Sequence, residues 1–119
     1  MESILDAQEL ARFAATTLED KKGGDILVLD LGADTPIADY FVICSANSDR
    51  QAKALADAVR EKVKETYQRL PFSIEGKSNS GWVLLDYGNV VVHVFLEEER
   101  RYYNLEGLWK QATVLLNIQ

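Results

Sequence analysis

Apolar positions along this chain follow two different spacings. Leu10, Phe13, Ala14, Thr17 and Leu18 recur at three- and four-residue intervals, which places them on one stripe of a helix. Asp6-Ala7-Gln8-Glu9 in front of them reads as a capping box, with Asp6 as N-cap, Glu9 reaching back, and Leu5 and Leu10 placed as a hydrophobic staple. Gly23-Gly24 ends that helix. Ile26, Leu27, Val28, Leu29 and Leu31 then leave almost no polar side, as in a strand buried on both faces. Thr35-Pro36 breaks the chain, and Tyr40 to Ser45 forms a second strand. A long helix follows, with Ser48 as N-cap, Gln51 three residues on, and Ala52, Leu55, Ala56, Val59, Val63 and Thr66 as its buried stripe. Leu70-Pro71 stops it, Phe72 to Glu75 forms a short strand near an edge, and Gly76-Lys77-Ser78-Asn79-Ser80 is a polar loop.

The pattern from Trp82 to Leu96 is the most specific in the chain. Two apolar runs flank Gly88-Asn89, and Gly in the first position of a two-residue turn accepts the positive φ that type II′ requires. A hairpin with that turn sets Leu85 against Val92 and Val83 against Val94 on one face. The other face carries Trp82, Leu84 and Asp86 opposite Phe95, His93 and Val91. The first face is aliphatic apart from Tyr87. The second mixes aromatic surface with an acid and the sole histidine, a combination that suits contact with a partner. After Glu97-Glu98-Glu99, a solvated acidic patch, Tyr102 to Leu116 has helical character, with Leu105, Leu108, Trp109 and Ala112 on one side; Tyr103 and Trp109 read as the residues that dock this helix.

The order helix, strand, strand, helix, short strand, hairpin, helix predicts an α/β (α+β) sandwich. Its mixed sheet has about five strands, with helices mainly on one face and the other face of the hairpin partly open. A length of 119 residues suits a single domain over 1–119 with its own core.

Charge narrows the partners. A formal net charge of -6 disfavours a broad nucleic-acid surface and favours a basic protein partner or solubility alone. Cys44 is the one cysteine, which excludes an internal disulfide and fits a reducing cytosol; in an apolar strand it is a small buried residue. No run is long enough for a membrane span and no signal peptide is visible, so a cytoplasmic protein is expected.

Catalytic patterns are weak. Cys44-Ser45-Ala46-Asn47-Ser48 lies at a strand-to-helix junction, where an anion would meet backbone N–H groups, but it lacks a phosphate-loop signature and Ser48 is explained as a cap. Asp30, Asp34 and Asp39 have no spacing that forces convergence on a metal. His93 has no metal-ligand or nucleophile companion, so neither a cofactor nor a metal is expected. The competing enzyme reading would use Ser45, Asn47 and Ser48 with Asp30 or Asp39 around a nucleotide.

Taken together, Asp25-Ile-Leu-Val-Leu-Asp30, Asp39-Tyr-Phe-Val-Ile-Cys44, Ser48-Asp-Arg50, Glu75-Gly76, Trp82-Val-Leu-Leu-Asp86-Tyr-Gly88, Val90-Val-Val-His93-Val and Arg101-Tyr-Tyr-Asn-Leu-Glu-Gly-Leu-Trp109 closely resemble the ribosomal silencing factor, or Iojap, family. The resemblance spans nearly the whole chain and rests on the order and spacing of the pieces. Two departures are visible: Ala46-Asn47-Ser48 stands where the family usually has Gly-Thr-Ser, and Gly88-Asn89 where it usually has Gly-Asp.

The resemblance implies a nucleotidyltransferase-like fold without the catalytic motif, and a non-enzymatic role. It implies binding to the large ribosomal subunit at its protein L-fourteen, which blocks small-subunit joining and lowers translation when nutrients are scarce. Organelle relatives act in large-subunit assembly. On this reading Trp82, Leu84, Asp86 and Tyr87 form the contact centre. Trp82 and Leu84 exclude water, Asp86 pairs with a basic side chain, and Tyr87 reaches the rim from the turn. His93 and Phe95 are second-tier and Glu75 joins from the adjoining strand. Little direct nucleic-acid contact is expected, and an open sheet face or the tail helix leaves a homodimer open.

Overall fold

The structure, a computed structural model, describes residues 6–32, 35–76, 80–108 and 112–118. The elements run α1 (Ala7–Asp20), β1 (Gly24–Asp30), β2 (Tyr40–Ala46), α2 (Asp49–Tyr67), β3 (Ser73–Glu75), β4 (Trp82–Asp86), β5 (Val90–Leu96), α3 (Glu97–Tyr103), α4 (Leu105–Leu108) and β6 (Thr113–Ile118). The strands form one sheet in the order β3-β4-β5-β2-β1-β6. The β2–β5 pair is parallel and the other pairs are antiparallel, so the sheet is mixed, as expected.

The helix and strand patterns account for the main core. Leu10, Ala14 and Leu18 of α1 and Leu55, Val59 and Val63 of α2 bury against Ile26, Val28, Val42, Cys44, Leu85 and Val92 of the sheet. On the opposite face Leu29, Leu31, Phe41, Ile43, Val91 and Phe95 form a second cluster, with Leu27, Trp82, Leu84 and Leu105 packed on it. β1 is therefore lined with apolar side chains on both sides. α1 and α2 cover one face, and the short α3 and α4 lie over part of the other.

The tail departs from the expectation of a continuous helix, and the sheet has six strands rather than five. Asn104 adopts φ 48°, a left-handed conformation that asparagine tolerates, and this ends α3. Leu105 and Leu108 fall in the single turn of α4, and Trp109 lies outside the described residues. Thr113-Val-Leu-Leu-Asn-Ile pairs antiparallel with β1, setting Ile118 beside Ile26 and Leu116 beside Val28. The free hydrogen-bonding edge of β1 outweighs the weak helical spacing of this segment, because a buried strand needs its backbone groups paired.

The capping box is corrected as well. Asp6 Oδ1 accepts from the Gln8 N–H at 3.3 Å, but Glu9 accepts from the Tyr67 hydroxyl at 3.1 Å and so ties α1 to the end of α2. Leu5 and Asp34, like most of the polar loop before β4, lie outside the described residues. α1 stops at Asp20, before the two glycines, and Gly24 opens β1. Gly23 N–H closes the end of α1 on Leu18 O at 2.8 Å, with Lys22 in the left-handed conformation, and a Cβ on Gly23 would collide with Cys44 Sγ, so glycine lets the chain pass close to β2. In α2 Ser48 caps as expected, accepting from Gln51 N–H at 3.1 Å, whereas Thr66 is exposed and Tyr67 is the half-buried residue at that end.

Candidate functional site

Hairpin geometry positions the site. Tyr87 N–H donates to Val90 O at 2.9 Å across the turn, and Gly88 has φ +89°. Trp82 pairs with Phe95, Leu84 with His93 and Asp86 with Val91, while Val83 and Leu85 face the α1–α2 core opposite Val94 and Val92. β3 extends the site face, because Glu75 pairs with Leu84 and Ser73 with Asp86. Glu75, Trp82, Leu84 and Asp86 thus stand on one surface.

Trp82 is built into an aromatic stack. Its ring lies 4.8 Å from Phe95 and 4.6 Å from Tyr103, which α3 delivers from above. The indole Nε1–H donates to His93 Nδ1 at 3.1 Å. Nδ1 can accept only when the imidazole is neutral and its proton sits on Nε2. Burial favours that form: His93 is 3% exposed, and desolvation pushes its pKa down to about 4. The Phe41 ring meets the imidazole edge-on at 4.6 Å. Beside the stack, Glu75, Gly76, Ser80, Trp82, Leu84 and Tyr103 line a notch of about 250 Å³.

The accessible part of this surface is smaller than the sequence pattern implied. Trp82, Leu84 and Asp86 are half-buried and Glu75 is exposed, so these four can meet a partner. Tyr87, Phe95 and His93 are buried and cannot. The register explains Tyr87: it belongs to the opposite face and packs under α2, with the Arg69 guanidinium 5.9 Å from its ring centre. Its hydroxyl has no hydrogen-bond partner among the described residues, and burial pushes its pKa up to about 12. Phe95 lies beneath Trp82, and His93 accepts the indole N–H. Asp86 has a local task too, since its Oδ1 accepts from the Gly88 N–H at 2.7 Å and braces the turn.

Two contributors were not assigned to the site from the sequence. Tyr103, expected only to dock the tail, also forms a wall of the notch. Arg100, in a run of charged residues, is 8% exposed; its Nη1 donates to Asp25 O at 2.6 Å and Ser45 Oγ at 2.8 Å, and its Nε to Glu106 at 3.0 Å. No local periodicity marks either residue, because both act across the sheet. At the β2–α2 junction, Asn47 N–H donates to Gln51 Oε1 and Ser45 Oγ is engaged by Arg100, so the groups suggested for an anion have internal partners. Among the described residues no three His, Cys, Asp or Glu side chains are grouped to hold a metal.

The fold is that of a small α/β domain, with two helices on one face of a mixed sheet and a half-open aromatic notch on the other. The chain belongs to the ribosomal silencing factor family: the family described as "Ribosomal silencing factor during starvation" matches residues 4–119. It is 42% identical over 108 residues to the ribosomal silencing factor RsfS of Bacillus subtilis, which covers 91% of each chain. The crystal structure of a Chromobacterium violaceum protein superimposes with a TM-score of 0.83 at 40% identity, covering 89% of this chain and 88% of that one. A mouse protein named "Mitochondrial assembly of ribosomal large subunit protein 1" is 35% identical over 94 residues, covering 77% of this chain and 41% of that protein. The family is regulatory in character rather than defined by a reaction.

Proposed function

We propose that this chain binds the large ribosomal subunit at its protein L-fourteen through the Trp82–Leu84–Tyr103 notch and thereby blocks small-subunit joining. The observation that carries this reading is the notch itself: half-open aromatic and aliphatic surface beside Glu75, with Asp86 on the same face. Trp and Tyr dominate binding hot spots because a large rigid ring excludes water at little entropic cost. With a net charge of -6, the chain is suited to a basic protein surface and is repelled by bare RNA. Silencing by this route needs no bond to be made or broken; the bound domain has only to overlap the small subunit's footprint. Action in the cytoplasm under nutrient limitation follows from the same reading.

Co-sedimentation with purified large and small subunits across a salt series tests it. Selective retention on the large subunit is expected. Trp82→Ala should weaken it by about 2 kcal/mol or more, roughly thirtyfold in affinity. Asp86→Asn is the better charge test than Asp86→Ala, because it keeps the oxygen that braces Gly88. A folded Trp82→Ala protein that binds like the parent sinks the assignment of this face. The mouse relative's name favours a second reading, promotion of large-subunit assembly through the same surface. Cells lacking the protein would then accumulate large-subunit precursors, whereas loss of silencing would raise the fraction of joined subunits in starved cells.

A further inference from the structure

We infer that His93 is a positioning residue for partner binding, fixing the Trp82 indole so that its carbon edge, not its N–H, is what the notch presents. The inference rests on the proposed contact face and adds what sets its geometry. Trp82 opens β4, next to Gly81 at φ +80°, and a ring at a strand end has several rotamers open to it. Stacking on Phe95, with Tyr103 tilted against the ring, sets the plane of the ring but does not choose which edge points inward. A half-turn about the Cβ–Cγ bond would keep that plane and send Nε1–H outward and the benzo edge inward. The 3.1 Å bond to His93 Nδ1 makes the choice.

His93 is otherwise an odd residue for this core. It is almost fully buried, and its Nε2 has no hydrogen-bond partner among the described residues. Phenylalanine or leucine would fill the site among Phe41, Phe95 and Leu84 without burying a ring nitrogen that lacks a partner. What the imidazole supplies and an apolar residue cannot is an acceptor beneath Trp82. Because the indole donor is used internally and Phe95 and Tyr103 lie against the ring, recognition through Trp82 is by packing against its carbon edge, which suits an aliphatic side chain of the partner.

The experiment compares the full chain with His93→Phe, which fills the space without an acceptor, and His93→Asn, whose side-chain oxygen takes the place of Nδ1. The readouts are the indole N–H resonance of Trp82, assigned against Trp109→Phe, its exchange with solvent, and co-sedimentation with large subunits. In the parent protein the resonance should be shifted and slow to exchange. His93→Phe should remain folded, exchange Trp82 N–H at least about tenfold faster and bind large subunits about fivefold more weakly, the size of one net hydrogen bond. His93→Asn should recover both. Equal weakening in the Phe and Asn variants overturns the inference, since packing alone would then matter. Parent-like binding by His93→Phe, with Trp82→Ala defective, overturns it as well and leaves the contact face standing. If Trp82→Ala binds normally, the face fails and the positioning role with it. Should His93→Phe not fold, fast exchange of the Trp82 N–H in the parent protein is by itself enough to refute the bond.

Discussion

Replacing Arg100 with leucine removes three hydrogen bonds at one point: to the Asp25 carbonyl of β1, to Ser45 Oγ of β2 and to Glu106 of α4. Leucine fills much of the stem's volume, so the loss is mainly polar. Breaking a buried ion pair by removing one partner costs about 3–5 kcal/mol. The Glu106 side chain is 33% exposed and can turn toward water, which places Arg100→Leu near the low end, about 3 kcal/mol. For 119 residues the entropy of unfolding is about 0.25 kcal/mol/K, so the melting temperature should fall by about 12 °C. Thermal unfolding followed by circular dichroism measures this, and Trp fluorescence reports whether Tyr103 has left the Trp82 ring. Arg100→Lys should recover little, because one ammonium cannot reproduce the planar fork that reaches acceptors on three elements. A melting temperature within about 2 °C of the parent for Arg100→Leu would refute the view that this side chain pins α3 to the sheet.

Other outcomes follow from buried groups. The folded pKa of His93, about 4, lies below the ordinary 6.5, so the unfolded chain binds the proton more readily between those values. The stability of keeping His93 neutral is complete above pH 6.5 and is lost as pH falls through about 4. The stability difference between the parent and the non-titrating His93→Asn should therefore move by about 3 kcal/mol between pH 7 and pH 4 in denaturant titrations, and a constant difference would contradict it. Tyr87→Phe removes a buried hydroxyl without a partner and should leave stability unchanged or raise it by about 1 kcal/mol; a loss above about 1 kcal/mol would reveal a partner for that oxygen. Gly23→Ala forces a methyl onto Cys44 Sγ and should cost about 2 kcal/mol in urea unfolding, with Cys44→Ala in the same chain relieving most of it.

Sequence reasoning succeeded where one residue's neighbours in space are also near it in the chain. Gly88-Asn89 fixes the hairpin register, so the pairing of Trp82 with Phe95 and of Leu84 with His93 is legible in the sequence. The stripes of α1 and α2 were legible for the same reason, with Thr66 the exception at a helix end. The reading failed where distant partners decide the outcome. β6 owes its conformation to the bare edge of β1, which local spacing does not encode. Tyr87, His93 and Phe95 were assigned to the contact surface by face or by proximity to the turn. Whether they reach solvent depended on α2, on Trp82 lying above Phe95, and on Tyr103 arriving from α3. Arg100 was invisible because its three acceptors lie in segments that only the fold brings together.

The sheet order sets a schedule for folding. β1 is among the first strands to be synthesised, yet one of its two neighbours, β6, is among the last, and β2 likewise waits for β5. Such distant pairings are slow to form, because the intervening chain must be ordered before its contacts repay the cost. While translation adds about 5–20 residues per second, the apolar β1 has an unpaired edge for several seconds. An exposed edge of that kind is a template for strands of other chains. Nascent copies of this protein therefore have most need of a chaperone before Thr113–Ile118 emerges, and a frameshift that replaces those residues should be recovered as aggregate rather than as a weakened binder.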